Sequence, residues 1–334
     1  MMIRSYLFPL GMAALLLLSG CGSKEAYAPE DTVDSWSNGA SLPDDIVDVT
    51  YDGAQLEEGQ VLTREGIIGV TLPEGYRFVG HSDGRVIAAT VDGQLLLISE
   101  SDPSDRVEFA LKKSIAGATL KGDTLAVLFA DNDMALYSLE TKALLMKEGG
   151  SAPSAVDNRI INPYFFNDLV LFPTLDGKIV IIHAEEKKRL RSIIVSSDEH
   201  FNNVIYFNII GNTVVAATST TLFSMADKEL REKYDLRNVV FTKDGVWLNT
   251  KQGEVVALTP SLQVIAKQKF PFAHFLGMIV TDEKVFVLEK AGYLIVLDKD
   301  LGTYQVYDAD VDEGYVFTGE RAFYFESESL PVAK

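Results

Sequence analysis

The sequence contains one cysteine in 334 residues, at position 21, so no disulfide can form within the chain. The folded domain must therefore be held together by its hydrophobic core, for which a 47% content of hydrophobic residues provides ample material. Long apolar runs are scarce as well. The run from Leu7 to Leu18 would measure only about 18 Å as a helix, against the roughly 30 Å hydrocarbon core of a bilayer.

Positive charge is also in short supply. The chain has 30 Lys and Arg against 48 Asp and Glu, a formal net charge of -18. Removal of residues 1–20 would take away the single positive charge of Arg4 and leave about -19. Such a balance repels phosphate backbones and anionic lipid surfaces, which argues against nucleic-acid binding. We interpret the charge mainly as an aid to solubility.

Motifs for catalysis and metal binding are missing. No histidine has a partner at metal-ligand spacing, and there is no Gly-x-Ser-x-Gly nucleophile elbow. The acidic run Asp308–Gly314 places its glycine and its distal glutamate, Glu320, one position late for a helix-loop-helix calcium loop, so a solvated acidic turn is favoured over a calcium site. The run Asp131–Asp133 is a weaker candidate still. We expect no catalytic residue, no cofactor and no metal site. The histidines are His81, His183, His200 and His274.

The N-terminus has the pattern of an export signal. Arg4 and the apolar run that follows it are typical of a cleavable signal peptide. The next residues, Leu18-Ser19-Gly20-Cys21, resemble the bacterial lipobox, and this resemblance implies that Cys21 is acylated after residues 1–20 are removed. An incidental cysteine in an ordinary signal peptide is the alternative. Several acyl chains would make a durable membrane tether.

Residues 21–45 are rich in Ser, Gly, Asp, Glu and Pro and lack an apolar period, which predicts a lipidated N-terminus and a flexible linker. Trp36 in this stretch is either a docking residue or, as the setting favours, a loosely packed linker aromatic. The folded domain is predicted to cover residues 46–334.

The body of the chain is made of apolar strand pairs joined by tight turns. The segments Arg85–Ser99 and Asp168–His183 each carry Asp-Gly between β-branched runs, a strong hairpin signal. Weaker copies continue the pattern, with a spacing of about 38 residues that is close to the period of a four-stranded propeller blade. The matching turn positions are 93, 132, 177, 221, 253, 292 and 321.

The patterning of the strands supports the same architecture. Hairpin strands such as Tyr293–Leu297 are apolar without alternation, whereas following strands such as Lys187–Ile194 alternate charged and apolar side chains, as the outer strand of a blade would. We predict an all-β propeller of seven four-stranded blades, with an eighth left open, closed by pairing of N-terminal with C-terminal strands. Residues 61–70 form either a short degenerate hairpin or the outer strand of the last blade. A linear solenoid is the alternative fold.

The segment Leu297-Asp298-Lys299-Asp300-Leu301-Gly302 resembles the link between hairpin and outer strand in quinoprotein-type (PQQ-like) repeats. Together with the lipobox, it makes residues 46–326 resemble the BamB family of outer-membrane assembly lipoproteins. The repeats lack the tryptophan that often follows the glycine in that family, and linkers such as Leu139–Ala143 lack the glycine itself. The resemblance implies a non-enzymatic scaffold at the periplasmic face of the outer membrane, bound to the β-barrel insertion complex. Gly22 after Cys21 agrees with outer-membrane sorting.

A partner-binding loop is predicted in the long connection 149–166, whose apolar end contains Ile160, Ile161, Tyr164, Phe165 and Phe166. The start of the next blade explains these residues about equally well. Two other functions stay open: a ligand-binding or sensory module that uses the central channel, and a divergent quinoprotein-type enzyme. The enzyme would need paired cysteines and a calcium-bound quinone site, and neither is visible in the sequence.

Overall fold

The computed structural model describes residues 25–37, 39–311 and 314–332. These residues form 31 β-strands in eight antiparallel sheets, and within each sheet the strands follow one another in chain order. The described part of the chain has no helix, and therefore none with the length and apolarity needed to cross a bilayer. The predicted signal peptide and Cys21 lie outside the described residues.

Each sheet is one blade of the propeller. Blade 1 contains β1 (Ile46–Val49), β2 (Gly53–Leu56), β3 (Gln60–Thr63) and β4 (Gly66–Thr71), and blade 2 contains β5 (Arg77–Ser82), β6 (Arg85–Ala89), β7 (Gln94–Ser99) and β8 (Arg106–Ala110). Blade 3 contains β9 (Ile115–Lys121), β10 (Thr124–Phe129), β11 (Met134–Ser138) and β12 (Leu144–Glu148), and blade 4 contains β13 (Tyr164–Phe166), β14 (Leu169–Pro173), β15 (Lys178–His183) and β16 (Lys188–Ile194).

The second half of the ring continues in the same way. Blade 5 contains β17 (Tyr206–Ile210), β18 (Thr213–Ala217), β19 (Thr221–Met225) and β20 (Glu229–Lys233), and blade 6 contains β21 (Leu236–Phe241), β22 (Val246–Thr250), β23 (Glu254–Leu258) and β24 (Val264–Lys269). Blade 7 contains β25 (Phe275–Val280), β26 (Lys284–Glu289), β27 (Tyr293–Asp298) and β28 (Tyr304–Asp308). Blade 8 has three strands, β29 (Val316–Thr318), β30 (Ala322–Phe325) and β31 (Glu328–Pro331).

The burial of the strands follows their position in the blade. First strands of neighbouring blades contact one another around the centre, for example β5 with β9 and β21 with β25, and the contact of β1 with β29 closes the ring. Second strands such as β22 are buried along their whole length, because other blades cover both faces of the sheet. The fourth strand β20 is exposed throughout. The predicted distinction between apolar hairpin strands and charged outer strands is confirmed.

The prediction of an all-β propeller is confirmed. The structure has eight blades, which is the count that the prediction left open beside seven. Residues 61–70 belong to the hairpin β3–β4 of blade 1 and not to the last blade. The turn between β2 and β3 uses Gly59 (φ 85°), which lacks a preceding aspartate and was missed in the sequence. In the last repeat, position 321 lies between β29 and β30, and the turn equivalent to the others contains Glu326 (φ 45°).

The ring is sealed by residues 25–45, here called the N-terminal segment. Blade 8 lacks a fourth strand, and its open edge is covered by backbone hydrogen bonds from Gly39 N to Ser329 O (2.7 Å) and from Leu42 N to Ser327 O (2.7 Å). Closure by pairing of N-terminal with C-terminal strands was predicted, and the strand considered as a candidate for this pairing was residues 61–70. The division into signal peptide, linker and propeller stays a prediction.

The same segment also lies along the outer edge of blade 7. Val33 N donates to Val306 O (2.9 Å), and Ser35 forms a parallel bridge with Asp308. Trp36 donates its indole N–H to Pro331 O (2.7 Å), and its ring packs 4.9 Å from the ring of Tyr307. Trp36 is thus packed against blades 7 and 8, in contrast to the loosely packed linker aromatic favoured by the sequence.

Because the strands alternate in direction, the ring has two distinct faces. One face, here called the connection face, carries the turns between second and third strands and the links from each fourth strand to the next blade. The opposite face carries the other turns. Backbone hydrogen bonds such as Leu111 N to Gly93 O and Phe270 N to Gly253 O join the two kinds of loop on the connection face.

Candidate functional site

The centre of the ring is filled by residues 149–163, here called the central connection, which lead from β12 to β13. Its start is fixed by Asn132, which donates its side-chain N–H to Ser151 O (3.0 Å), and by Asp133, which accepts the N–H of Gly150 (3.2 Å). Its end, Ile161, is buried in the core of blades 4 and 5. The connection therefore crosses the molecule between two anchored ends.

Asn162 joins the central connection to blades 1, 2 and 3. Its Nδ2 donates to Asp52 Oδ2 (2.7 Å) and to Val79 O (3.0 Å), and its Oδ1 accepts the N–H of Ala118 (2.9 Å). Two glycines of the innermost strands make room for it. A Cβ at Gly80 would lie 2.5 Å from Asn162 Nδ2, and a Cβ at Gly117 would lie 2.9 Å from its Oδ1. Backbone approach of this kind is a physical reason for glycine inside a strand.

Arg159 joins the central connection to blade 6. Its guanidinium pairs with Asp157 (2.5 Å) and donates to Arg237 O (2.7 Å) and Leu236 O (3.3 Å) at the start of β21. Asn203 donates to the backbone oxygens of both Asp157 and Arg159 (3.1 and 2.9 Å). Charge-assisted hydrogen bonds to backbone carbonyls are strong and directional, so the middle of the connection is held as firmly as its ends.

Side chains from opposite blades meet at the centre. The rings of Tyr51 in blade 1 and Tyr206 in blade 5 pack at 6.2 Å, and the guanidinium of Arg64 lies 4.6 Å from the ring centroid of Tyr51. Burial raises the pKa of Asp52, and the hydrogen bond from Asn162 together with the positive charge of Arg64 offsets part of that rise.

Two cavities remain near the centre. One, of about 200 Å³, lies between the central connection and blades 1, 2 and 5, and its lining includes Asp52, His81 and Phe207. The other, of about 460 Å³, is lined by the same Asp52 and His81 together with Arg64. Ligand sites in proteins usually measure roughly 300–1,000 Å³. The central connection and the tyrosine pair thus leave less than this volume between blades 1, 2 and 5, and the cavity beside Arg64 is the space that remains for the channel-binding alternative.

The predicted partner-binding residues are divided between core and surface. Ile161 is buried, and Ile160 and Phe165 pack against the core of blades 3 and 4. Tyr164 and Phe166 are 41% and 36% exposed, and the Tyr164 ring packs 5.5 Å from the ring of Phe207. The apolar run therefore marks mainly the start of blade 4, which was the other interpretation of the sequence. Its role in partner binding stays a prediction.

The chemistry-bearing residues named from the sequence lie apart. Within the described ranges no group of three His, Cys, Asp or Glu is arranged to hold a metal ion. Asp131 and Asp133 both form ion pairs with Lys113, and this pairing lowers the pKa of Asp133 to about 2. The N–H of Asp308 donates to Asp34 O (3.0 Å), so the start of the acidic run is tied to the N-terminal segment, while residues 312 and 313 lie outside the described chain.

Several solved structures superpose on this ring. BamB from Moraxella catarrhalis superposes with a TM-score of 0.66 at 14% identity, covering 88% of this chain and 98% of that one. The fold is that of BamB. The C-terminal WD40 domain of Sif2 matches with a TM-score of 0.67 at 12% identity over 91% of this chain and all of that one. The computationally designed Ika8 protein matches with a TM-score of 0.61 at 13% identity, covering 90% of this chain and 99% of its own. At these identities the likeness establishes the BamB-like propeller fold alone.

Sequence comparison points to a different set of proteins. The plasminogen-binding proteins PgbB of two Helicobacter pylori strains are 28% identical to this chain over 250 residues, or 69% of its length. The chain spans only 46% of the length of these relatives, about half. No protein-family profile matches the chain.

Proposed function

We propose that this protein is a lipid-tethered, non-enzymatic propeller that binds other proteins at the periplasmic face of the outer membrane, as a component of β-barrel protein assembly. The observation that carries the proposal is the filled centre of the ring. Because Asn162, Arg159 and the Tyr51–Tyr206 pair occupy the axis, binding is directed to the faces and rims of the propeller, which suit protein partners. The BamB-like fold and the lipobox around Cys21 support the partner and the tether.

The exposed start of blade 4 is the proposed contact surface. Tyr164 presents a large ring at the mouth of the small central cavity, and Phe166 lies at the other end of the same innermost strand. Aromatic side chains are enriched at protein interfaces, where they bury a large area at a low cost in conformational entropy. The fixed central connection presents these residues without a folding step.

The test is crosslinking in native cells followed by mass spectrometry. Wild-type protein should enrich the β-barrel insertion protein, and Tyr164→Ala with Phe166→Ala should reduce that enrichment at least several-fold. The matched control is Leu190→Ala, an equally exposed apolar residue on the outer strand β16. Equal recovery of the insertion protein and of unrelated envelope proteins from the wild type would sink the assembly role, although the fold would stand.

A second candidate is binding of plasminogen, which the name of the PgbB relatives states for those proteins. The observation in its favour is the 28% identity over 250 residues. Surface plasmon resonance of the purified protein on immobilised plasminogen, together with antibody access on intact cells, tests it. Saturable binding and surface exposure would replace the assembly role, and absence of either would exclude this candidate.

A further inference from the structure

Phe272 is an exposed aromatic residue held in an unusual backbone conformation. It lies in the link between blades 6 and 7, is 59% exposed and has a φ of 64°. The left-handed region is unfavourable for a bulky side chain, so the surrounding hydrogen bonds must hold it there. These bonds run from Phe270 N to Gly253 O (2.7 Å) and from Ala273 N to Phe270 O (3.2 Å). The phenyl ring therefore projects from a fixed turn on the connection face.

The surroundings of Phe272 carry positive charge in a protein that is strongly acidic as a whole. An open cavity of about 800 Å³ lies beside the ring. Its two acidic residues are Glu25 and Glu289, and Glu289 is buried, with its carboxylate oxygens accepting the N–H groups of His274 (2.8 Å) and Ala291 (2.6 Å). Four cationic side chains line the same cavity. They are Arg237, Lys251, Lys269 and Lys290.

The N-terminal segment begins at this cavity. Tyr27 is buried there, with ring centroids 6.1 Å from Phe270 and 5.8 Å from Tyr293. Glu25 and Ala26 line the cavity itself. Cys21 precedes Glu25 by four residues, which span at most about 14 Å when fully extended. A lipid on Cys21 would thus hold the bilayer surface within about 14 Å of Glu25, which lines the same cavity as Phe272.

We propose that the connection face at blades 6 and 7 is a membrane-docking surface. In this arrangement Phe272 enters the interfacial region of the bilayer, and the four cations contact anionic phospholipid headgroups. The inference rests on the proposed tether at Cys21, whose short reach leaves this face turned toward the lipid. Phe201, in the link between blades 4 and 5, is a second exposed aromatic with a positive φ (51°) on the same face. Together the two rings set the tilt of the propeller.

The orientation is tested with spin labels on the full-length, lipidated protein in vesicles of phosphatidylethanolamine and phosphatidylglycerol. Acylation of Cys21 leaves no other thiol in the chain, so Phe272→Cys introduces a unique labelling site. The matched control is Leu144→Cys, which is 53% exposed and begins a fourth strand on the opposite face. A label at 272 should lose at least half of its accessibility to a water-soluble nickel chelate when vesicles are present, and a label at 144 should be unchanged. Equal accessibility at both sites would overturn the proposal.

Charge reversal provides an independent readout. Lys251→Glu with Lys290→Glu should restore nickel access at position 272 in the labelled protein, and raising the salt concentration should act in the same direction. Metabolic labelling with a radioactive fatty acid reports the tether separately. Absence of acyl label would show that the tether at Cys21 is wrong, whereas acylated protein with an accessible label at 272 would show that only the docking surface is wrong.

Discussion

The N-terminal segment and the central connection have similar amino-acid compositions and different means of attachment. Both are rich in Ser, Pro, Gly and Asp without an apolar period, which is the composition of a linker. The N-terminal segment attaches through its backbone, by extending the edges of blades 7 and 8, and the Trp36 ring packs beside these hydrogen bonds. The central connection attaches through side chains, chiefly Arg159 and Asn162. Composition alone therefore does not show whether such a segment is fixed, since edge strands offer a template that any sequence with free N–H groups can use.

The largest expected effect in this comparison is that of Trp36→Ala. The substitution removes two ring contacts and the hydrogen bond to Pro331, and we expect it to lower the free energy of unfolding by about 3 kcal/mol. Urea denaturation followed by circular dichroism measures it. Trp36→Phe, which keeps an aromatic ring, should cost about 1 kcal/mol. A loss below about 0.5 kcal/mol for Trp36→Ala would show that the Trp36 side chain does not anchor the segment and that the backbone hydrogen bonds hold it without that side chain.

Removal of the Asn162 side-chain amide should strongly destabilise the protein. Asn162→Ala leaves the N–H of Ala118 and the carboxylate of Asp52 without this partner, and we expect a loss of about 2 kcal/mol in the free energy of unfolding. Asn158→Ala, an exposed neighbour in the same connection, is the control and should change stability by less than about 0.5 kcal/mol. Similar small values for both variants would contradict the proposed attachment of the connection through Asn162.

Much of the ring was predictable because its tight turns have a local sequence signal. Asp-Gly at positions 92–93 and 176–177 requires a tight hairpin, and both glycines have positive φ in the structure. The eighth blade was left open because its diagnostic turns are degenerate: Gly59 lacks the aspartate, and Glu326 takes a positive φ without being glycine. Those two conformations depend on tertiary packing, which a local pattern does not contain.

The central site was harder to predict. Asn162 stands between Ile161 and Pro163 without any periodic signal, and the run Ile160–Phe166 left open a surface patch or the start of the next blade, where the chain is partly buried. The available signal was elsewhere, in Gly80 and Gly117, because a glycine inside a strand indicates a close neighbour. Identifying that neighbour requires knowledge of which blades face each other across the ring.

Asp52→Asn tests the electrostatics of the closed centre. Burial raises the pKa of Asp52, so the ionised carboxylate destabilises the folded state as pH rises from the unfolded value near 4 through the higher folded value. The neutral amide avoids this cost. The stability of Asp52→Asn relative to the wild type should therefore increase between pH 4 and pH 8, measured by urea titration at each pH. A difference that does not vary with pH would show that Asp52 is not desolvated.

The smallest effect is expected for Asp133→Asn, at the start of the central connection, and it is a loss of stability at neutral pH and not a gain. Lys113, and secondarily Lys147 and the N–H of Gly150, lower the pKa of Asp133 to about 2, so its stabilising effect is present above pH 4 and is lost as pH falls toward 2. Because solvent reaches Lys113 and Lys147, Asp133→Asn should cost less than about 1 kcal/mol at pH 7, and less still in high salt.

The pair of aspartates therefore distinguishes the two ends of the central connection. The difference in unfolding free energy between Asp133→Asn and the wild type should shrink on acidification, because the wild type loses its ion pair. The corresponding difference for Asp52→Asn should also shrink, because the wild type loses a buried charge. The first difference is a loss of stability and the second is a gain. A shift of stability in the same direction for both variants at pH 7 would contradict this distinction. The start of the connection would then not differ from its end in having a screened ion pair where the end has a desolvated carboxylate.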